Sequence, residues 1–287
     1  MKVGVFAADI PSTSFIERLI DGLSNHASID LYVFGKQKKA TPTYKGTVNI
    51  IGIKNKFHQL LLGCIYRFLF LFKPSKWKAF KNVFPQNNTN LKSKLLAWGK
   101  VLPIVYSELD IFHIQWAKNL PEWVFLEELG VKVICSLRGA HINYSPIANS
   151  SLAAAYHKTF PKCSGFHGVS KAIIKEATKY GDIESKSKVV YSGLDLSQFS
   201  YKSREHSTNA KFKIISVGRP HWIKGFINAL DTCKILMDAS IEFEYCIVGG
   251  SNDEILFQIQ QLNLEDHVIV KKHIPFKEVK KLIQGAD

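Results

Sequence analysis

A chain of 287 residues with 46% hydrophobic and 22% charged residues holds enough apolar material for one large α/β unit or two medium domains, which excludes a disordered tail or a disulfide-stapled miniprotein. No stretch of about eighteen apolar residues could span a bilayer, and Met1-Lys2-Val3-Gly4-Val5-Phe6 lacks the features of a signal peptide, so the expected location is cytoplasmic. The formal net charge is +14, and its placement is informative: between Asp30 and Glu108 there is no acidic residue but fourteen cations, while the rest of the chain is neutral.

The first elements predicted are a strand over Lys2 to Ala7, a helix over Ser12 to Asn25 with Ser12 as N-cap, and a second strand over Ile29 to Phe34. This βαβ opening lacks G-x-G-x-x-G in its Ala8-Asp9-Ile10-Pro11-Ser12 turn, which argues against nicotinamide chemistry. Inside the acid-free interval, Phe57, Leu60, Leu61, Cys64, Phe68, Leu69 and Phe72 recur at helical spacing, with Gln59, Gly63 and Arg67 on the opposite stripe and Lys73, Lys76, Lys78 and Lys81 following. This is the composition of an interfacial helix lying in anionic headgroups, with Phe57, Leu61, Phe68, Arg67, Lys73 and Lys76 at the membrane surface. The alternative is a core-packing helix followed by a solvated lysine-rich loop. Nucleic acid is not an expected partner, because the aromatics lie on the apolar stripe and are not interleaved with the basic residues.

Further strands are predicted at Ile111 to Ile114, Lys132 to Ser136, Ser164 to Val169 and Lys188 to Tyr191, alternating with helices such as Pro121 to Leu129 and Lys171 to Tyr180. Such alternation implies a parallel sheet, here in a domain over 1–200. A polar linker over 201–210 leads to a second βα series: strand Phe212 to Val217, helix Ile223 to Met237, strand Phe243 to Val248, helix Asp253 to Leu262, strand His267 to Lys271 and helix Phe276 to Ile283. The segment 211–287 supplies about one of the two βαβαβ halves of a doubly wound domain, so a truncated chain is expected. The five cysteines are widely spaced without C-x-x-C and read as reduced core thiols, and no metal site is expected.

The most specific segment is Ile214-Ile215-Ser216-Val217-Gly218-Arg219-Pro220-His221-Trp222-Ile223-Lys224-Gly225-Phe226, where a strand expected to be buried runs into a glycine and an Arg and a Lys flank a turn opening a helix. Two cations and a helix N-terminus make a diphosphate site. Taken alone, the same residues also fit a solvated Arg and Lys at a helix start.

With its G-R-x-x-x-x-K-G signature the chain resembles the retaining GT-B glycosyltransferases often called glycosyltransferase family 4 (group 1). Asp110-Ile111-Phe112-His113-Ile114-Gln115-Trp116, Ser136-Leu137-Arg138-Gly139-Ala140-His141, Val169-Ser170-Lys171, Tyr191-Ser192-Gly193-Leu194-Asp195, Ile247-Val248-Gly249-Gly250 and Ala286-Asp287 resemble further motifs of that family in order. The resemblance implies two Rossmann-like domains and transfer of a sugar from a nucleotide-diphosphate donor to an acceptor hydroxyl with retention, using no metal or other cofactor. It implies catalytic roles for Arg219, Lys224 and Arg138, donor binding by Gly218, Gly249, Gly250, His273 and Ile274, and Asp9, His141 and Ser170 on the acceptor side. The partners implied are a nucleotide sugar, a glycan or lipid-linked acceptor and, with the basic stripe, an anionic membrane surface at the inner face of the membrane.

The chain also departs from the family pattern. Arg138 stands where the family often has a His, and a guanidinium there could bind phosphate or an acidic sugar. His141 stands where an acidic residue is common, and His113 reads as a hydrogen-bonded core residue. The family's pair of glutamates after "A-D" does not occur, so weak or no transfer is expected if 287 residues are the whole product. Two other readings stay open: an inactive fragment serving as a membrane- or partner-binding module, and a non-hydrolysing nucleotide-sugar epimerase.

Overall fold

The computed structural model describes residues 1–38, 40–84, 90–193 and 211–287. The chain divides into two compact units, Met1–Gly193 and Leu194–Asp287. The expected linker, 201–210, lies outside the described residues.

The first unit is a seven-stranded, all-parallel sheet in the order β3-β2-β1-β4-β5-β6-β7. Its strands are β1 (Lys2–Ile10), β2 (Asp30–Gln37), β3 (Val48–Ile53), β4 (Ile111–Ile114), β5 (Lys132–Leu137), β6 (Gly165–Gly168) and β7 (Ser187–Val189). Successive residues of β1 serve opposite faces: Val3, Val5 and Ala7 join Ile16 and Ile20 of α1 (Ser14–Ser24), while Phe6 joins a larger cluster with Phe34, Phe112 and Trp123. Burial on both faces is why these strands read as continuous apolar runs.

The larger cluster is covered by α2 (Lys56–Leu69), α3 (Pro74–Val83) and α4 (Leu91–Tyr106). Asn55 caps α2 by accepting from the His58 amide at 2.8 Å, and Asn90 caps α4 by accepting from the Ser93 amide at 2.8 Å. Beyond them come α5 (Leu120–Trp123), α6 (Ala140–Asn143), α7 (Ser145–Ala148), α8 (Ser150–Thr159) and α9 (Lys171–Ala177).

The second unit holds a parallel sheet in the order β10-β9-β8, formed by β8 (Phe212–Val217), β9 (Phe243–Val248) and β10 (Val268–Lys271). Helices α10 (Phe226–Asp238), α11 (Asp253–Gln261) and α12 (Phe276–Gln284) alternate with the strands, and Phe226, Leu230, Tyr245 and Ile255 centre its core.

Several expectations are corrected. β1 runs on to Ile10, and Thr13, not Ser12, occupies the N-cap position of α1; the Ser12 hydroxyl donates to the Ala7 carbonyl at 3.1 Å. Of the lysines after Phe72, Lys76, Lys78 and Lys81 lie on the helix α3, not on a loop, and Lys73 stands at its N-cap position. The helix predicted over Pro121 to Leu129 is the single turn α5 continued by a 3-10 helix, Val124–Leu129. Four cysteines are buried, but Cys64 is exposed, because α2 turns that side outward.

Candidate active site

In the second unit the C-terminal ends of β8 and β9 meet through two glycines. The Gly218 amide donates to the Val248 carbonyl at 2.9 Å, and the amides of Gly249 and Gly250 both donate to the Lys271 carbonyl at 3.0 Å. Gly249 and Gly250 have φ of +125° and +99°, which favours glycine. Any Cβ on Gly249 would lie 2.1 Å from the Gly218 carbonyl oxygen.

Arg219 follows directly, and the chain then makes a 3-10 turn over Trp222–Lys224 before Gly225, at φ +67°, redirects it into α10. The single helix predicted from Ile223 is thus split, because Gly225 adopts a left-handed conformation. The Lys224 side chain lies alongside Gly218, its Cδ 3.4 Å from where a Cβ would stand. Arg219 and Lys224 are exposed, and neither forms an ion pair among the described residues. His273 and Ile274 follow β10 on the same edge, His273 exposed and Ile274 half-buried. Two cations with no ion-pair partner among the described residues, beside a glycine-lined strand edge, form an arrangement that can take a diphosphate.

In the first unit the strand order reverses between β1 and β4, where the crevice outside the strand ends is the natural ligand position. Arg138, just past β5, donates from Nη2 to Oε1 of the fully buried Gln115 at 3.3 Å, and its guanidinium carbon sits 4.6 Å over the Phe15 ring. Arg138 Nε and Gln115 Nε2 are buried without a hydrogen-bond partner among the described residues. His141 rests against Trp116 with ring centroids 5.1 Å apart, and burial, then Lys118, pushes its pKa down. Asp9 is paired with Lys38 at 2.7 Å, and Ser170 Oγ accepts from the Ile173 amide at 3.2 Å as the cap of α9.

Beneath this edge His113, Ser136 and His167 form one chain of hydrogen bonds. His167 Nε2 is 3.0 Å from the Val190 carbonyl, which can only accept, so Nε2 carries the proton and Nδ1 accepts from the Ser136 hydroxyl at 3.0 Å. The Ser136 oxygen then accepts from His113 Nε2 at 2.9 Å. His113 is the hydrogen-bonded core residue its sequence context predicts. Its pKa is pushed down to about 3 by burial, with His167 and Arg138 adding to the shift.

On α2 the stripe of Gln59, Gly63 and Arg67 faces the protein. Gln59 Nε2 donates to the Leu96 carbonyl of α4 at 2.8 Å, and the Arg67 guanidinium lies 4.3 Å over Trp77. The apolar stripe is left outside, with Phe57 and Phe68 of α2 at 77% and 59% exposure, Leu61 also exposed, and Phe72, in the 3-10 turn Phe70–Phe72 that continues α2, at 75%. Lys73 and Lys76 both bind Glu108, the first at 2.5 Å, and hold that carboxyl down at about 2. The charges of these two lysines are thus answered within the fold. Lys36, Lys54 and Lys56 line a cavity against β1–β3, and placing them depends on the strand Val48–Ile53, which the sequence pattern does not single out.

Among the described residues no cluster of His, Cys, Asp and Glu could hold a metal, and no helix is long and apolar enough to cross a membrane.

Residues 198–287 match the family described as Glycosyl transferases group 1. The putative colanic acid biosynthesis glycosyltransferase WcaL of Escherichia coli (strain K12) is 28% identical over 167 residues, or 56% of this chain. The match spans only 41% of that relative's length. Among solved structures, Anabaena Alr3699/HepE in complex with UDP and glucose is similar over 100% of this chain and 72% of its own, at TM-score 0.58 and 15% identity. The sucrose-phosphate synthase of Thermosynechococcus elongatus is similar over 100% and 74%, at TM-score 0.65 and 9% identity. The lipopolysaccharide outer core galactosyltransferase WaaB is similar over 100% and 72%, at TM-score 0.56 and 13% identity.

Proposed function

We propose that this chain, a group 1 glycosyltransferase by family with the GT-B fold, transfers a sugar from a nucleotide-diphosphate donor to an acceptor hydroxyl with retention of anomeric configuration, in the synthesis of a cell-envelope glycan. The observation that carries this reading is the pair of cations, Arg219 and Lys224, without an ion-pair partner among the described residues and beside Gly218 and Gly249 on one strand edge. In the reaction the acceptor oxygen bonds to the anomeric carbon as the bond to the diphosphate oxygen breaks, the electron pair leaves with the diphosphate, and the hydroxyl proton follows it. Arg219 and Lys224 stabilise the charge that develops on the leaving group. Arg138, His141 and Asp9 stand on the acceptor side. The exposed apolar stripe of α2 rests on the inner face of an anionic membrane, where a lipid-linked acceptor is met.

The test is titration of the chain with UDP, GDP and ADP, alongside Arg219→Ala and Lys224→Ala. Binding of one nucleotide that either substitution weakens at least tenfold supports the reading and names the base. A folded chain that binds none of the three overturns it. The second reading, a membrane-binding module without transferase activity, is favoured by the exposed α2 stripe and would then stand.

A further inference from the structure

Arg138 leaves the end of β5 close to the reversal of strand order between β1 and β4, half-buried and with its guanidinium carbon 4.6 Å over the Phe15 ring. Its hydrogen-bond partner is neutral, Oε1 of the fully buried Gln115 at 3.3 Å, and among the described residues no carboxylate pairs with it. The carboxylates near the end of β1 are committed elsewhere, Asp9 to Lys38 at 2.7 Å and Glu17 of α1 to the Tyr44 hydroxyl at 2.8 Å. The two histidines that feel the charge of Arg138, His113 and His167, are neutral near pH 7, their pKa values pushed down first by burial. Arg138 Nε, Gln115 Nε2 and His141 Nδ1 are buried with no hydrogen-bond partner among the described residues. A guanidinium partly withdrawn from water into neutral surroundings is costly, and an arriving anion offsets that cost.

The surroundings of the guanidinium narrow the anion. Trp116 touches both Phe15 and His141, with ring centroids 5.7 Å and 5.1 Å apart, and all three rings are half-buried, so part of each meets solvent. Aromatic surface beside a few convergent polar groups suits a ring with an apolar face and one charged substituent. A planar carboxylate takes two N–H groups of one guanidinium side by side and is answered by its single charge. A phosphate ester carries up to two charges and calls for a second inward cation, whereas Lys118, close enough to His141 to lower its pKa, is exposed. We propose that Arg138 selects an acceptor whose sugar is a uronate, gripping its carboxylate while the sugar ring lies against Phe15 and Trp116. The proposal rests on the transferase reading, which supplies the acceptor, and concerns residues of the first unit alone.

The experiment is titration of the full chain, followed by nuclear magnetic resonance, with methyl glucuronide and methyl galacturonide, against methyl glucoside and methyl glucoside 6-phosphate. The variants are Arg138→Gln, which removes the charge, Arg138→Lys, which keeps the charge without the planar fork and serves if the first does not fold, and Arg219→Ala. At least one uronide is expected to bind the unsubstituted chain at least tenfold more tightly than the glucoside or its 6-phosphate. Arg138→Gln should weaken that binding at least tenfold and Arg138→Lys by a smaller factor, while Arg219→Ala keeps uronide binding and loses nucleotide. Uronides bound no better than the glucoside, or bound equally by both Arg138 variants, overturn the proposal. Tighter, Arg138-dependent binding of the 6-phosphate overturns it by making the anion a phosphate ester. Loss of uronide binding in Arg219→Ala overturns it too, because the sugar would then occupy the donor site and the transferase reading would survive. Arg138-dependent uronide binding in a chain that binds no nucleotide upholds the carboxylate site and removes only the transferase reading.

Discussion

Gly249 sits so close to Gly218 that a methyl group on the first would come within 2.1 Å of the carbonyl oxygen of the second. This contact lets the end of β9 approach the turn that carries Arg219. Gly250, at φ +99°, has nothing within 4 Å of where its Cβ would stand. Alanine at Gly250 therefore costs only backbone strain, about 1–2 kcal/mol, while alanine at Gly249 adds a backbone clash and costs about 3 kcal/mol or more. Urea unfolding of the two variants measures the difference directly. Gly249→Ala should also weaken nucleotide binding, and equal stability of the two variants would remove the contact from the account.

The parts of this molecule legible in its sequence are those whose determinants are local. Ile111–Ile114 and Phe243–Val248 form strands at the predicted bounds, because each is a short apolar run with buried residues within its sheet, and Phe212–Val217 keeps its predicted bounds as a half-exposed edge strand. Gly218, Arg219 and Lys224 lie within seven residues of one another, so their convergence is written in the chain. Val48–Ile53 was not, since an edge strand with half-buried residues on both faces shows no alternation. The apolar stripe of α2 was visible, but periodicity does not say which side meets the protein; the close approach of Gly63 to α4 decides that. The cavity draws on β1, β2, β3, α2 and α4 at once, and no short window of sequence contains it.

The α2–α4 crossing makes a second stability prediction. A Cβ on Gly99 would lie 1.8 Å from the Gln59 carbonyl oxygen, and one on Gly63 would lie 2.1 Å from that of Leu95. Valine at Gly99 must push the helices apart, exposing part of the cluster around Phe70 and Leu102, at a cost of about 3 kcal/mol or more. Gly22 in the interior of α1 is the control, because nothing lies within 4 Å of its Cβ position. Gly22→Ala should stabilise the chain by about 0.5–1 kcal/mol through helix propensity. Thermal unfolding of both variants reads the two signs, and a Gly99→Val chain as stable as the unsubstituted one would contradict the packing.

The outward stripe of α2 predicts membrane partitioning that depends on both aromatic surface and charge. Burying an exposed Phe is worth about 1.5–3 kcal/mol, so Phe57→Ser, Phe68→Ser, Phe72→Ser together should lower binding to phosphatidylglycerol-containing vesicles by more than about a hundredfold. Added salt should weaken the unsubstituted chain only in part, since screening acts on the lysine contribution and not on the apolar one. Vesicle flotation measures both. A triple variant that floats like the unsubstituted chain would assign the stripe to another surface.

The His113–Ser136–His167 chain predicts the pH dependence of folding. His113 has a pKa of about 3 in the folded chain, chiefly because burial disfavours its charged form, against an ordinary value near 6.5. Below about pH 6.5 the unfolded chain takes up a proton that the folded chain refuses, so this contribution to stability is complete above that pH and falls as pH drops toward 3. The slope is at most about 1.4 kcal/mol per pH unit for one histidine, or about 2 kcal/mol between pH 7 and pH 5. His167, shifted in the same direction by burial, adds to the slope. Glutamine at position 113 can still donate to Ser136 but does not titrate. Urea unfolding from pH 7.5 to pH 4.5 should therefore show His113→Gln less stable than the unsubstituted chain at pH 7 but with a shallower decline in acid. Parallel declines would mean that His113 takes up a proton as readily in the folded chain as in the unfolded one, and would remove it from the account of acid sensitivity.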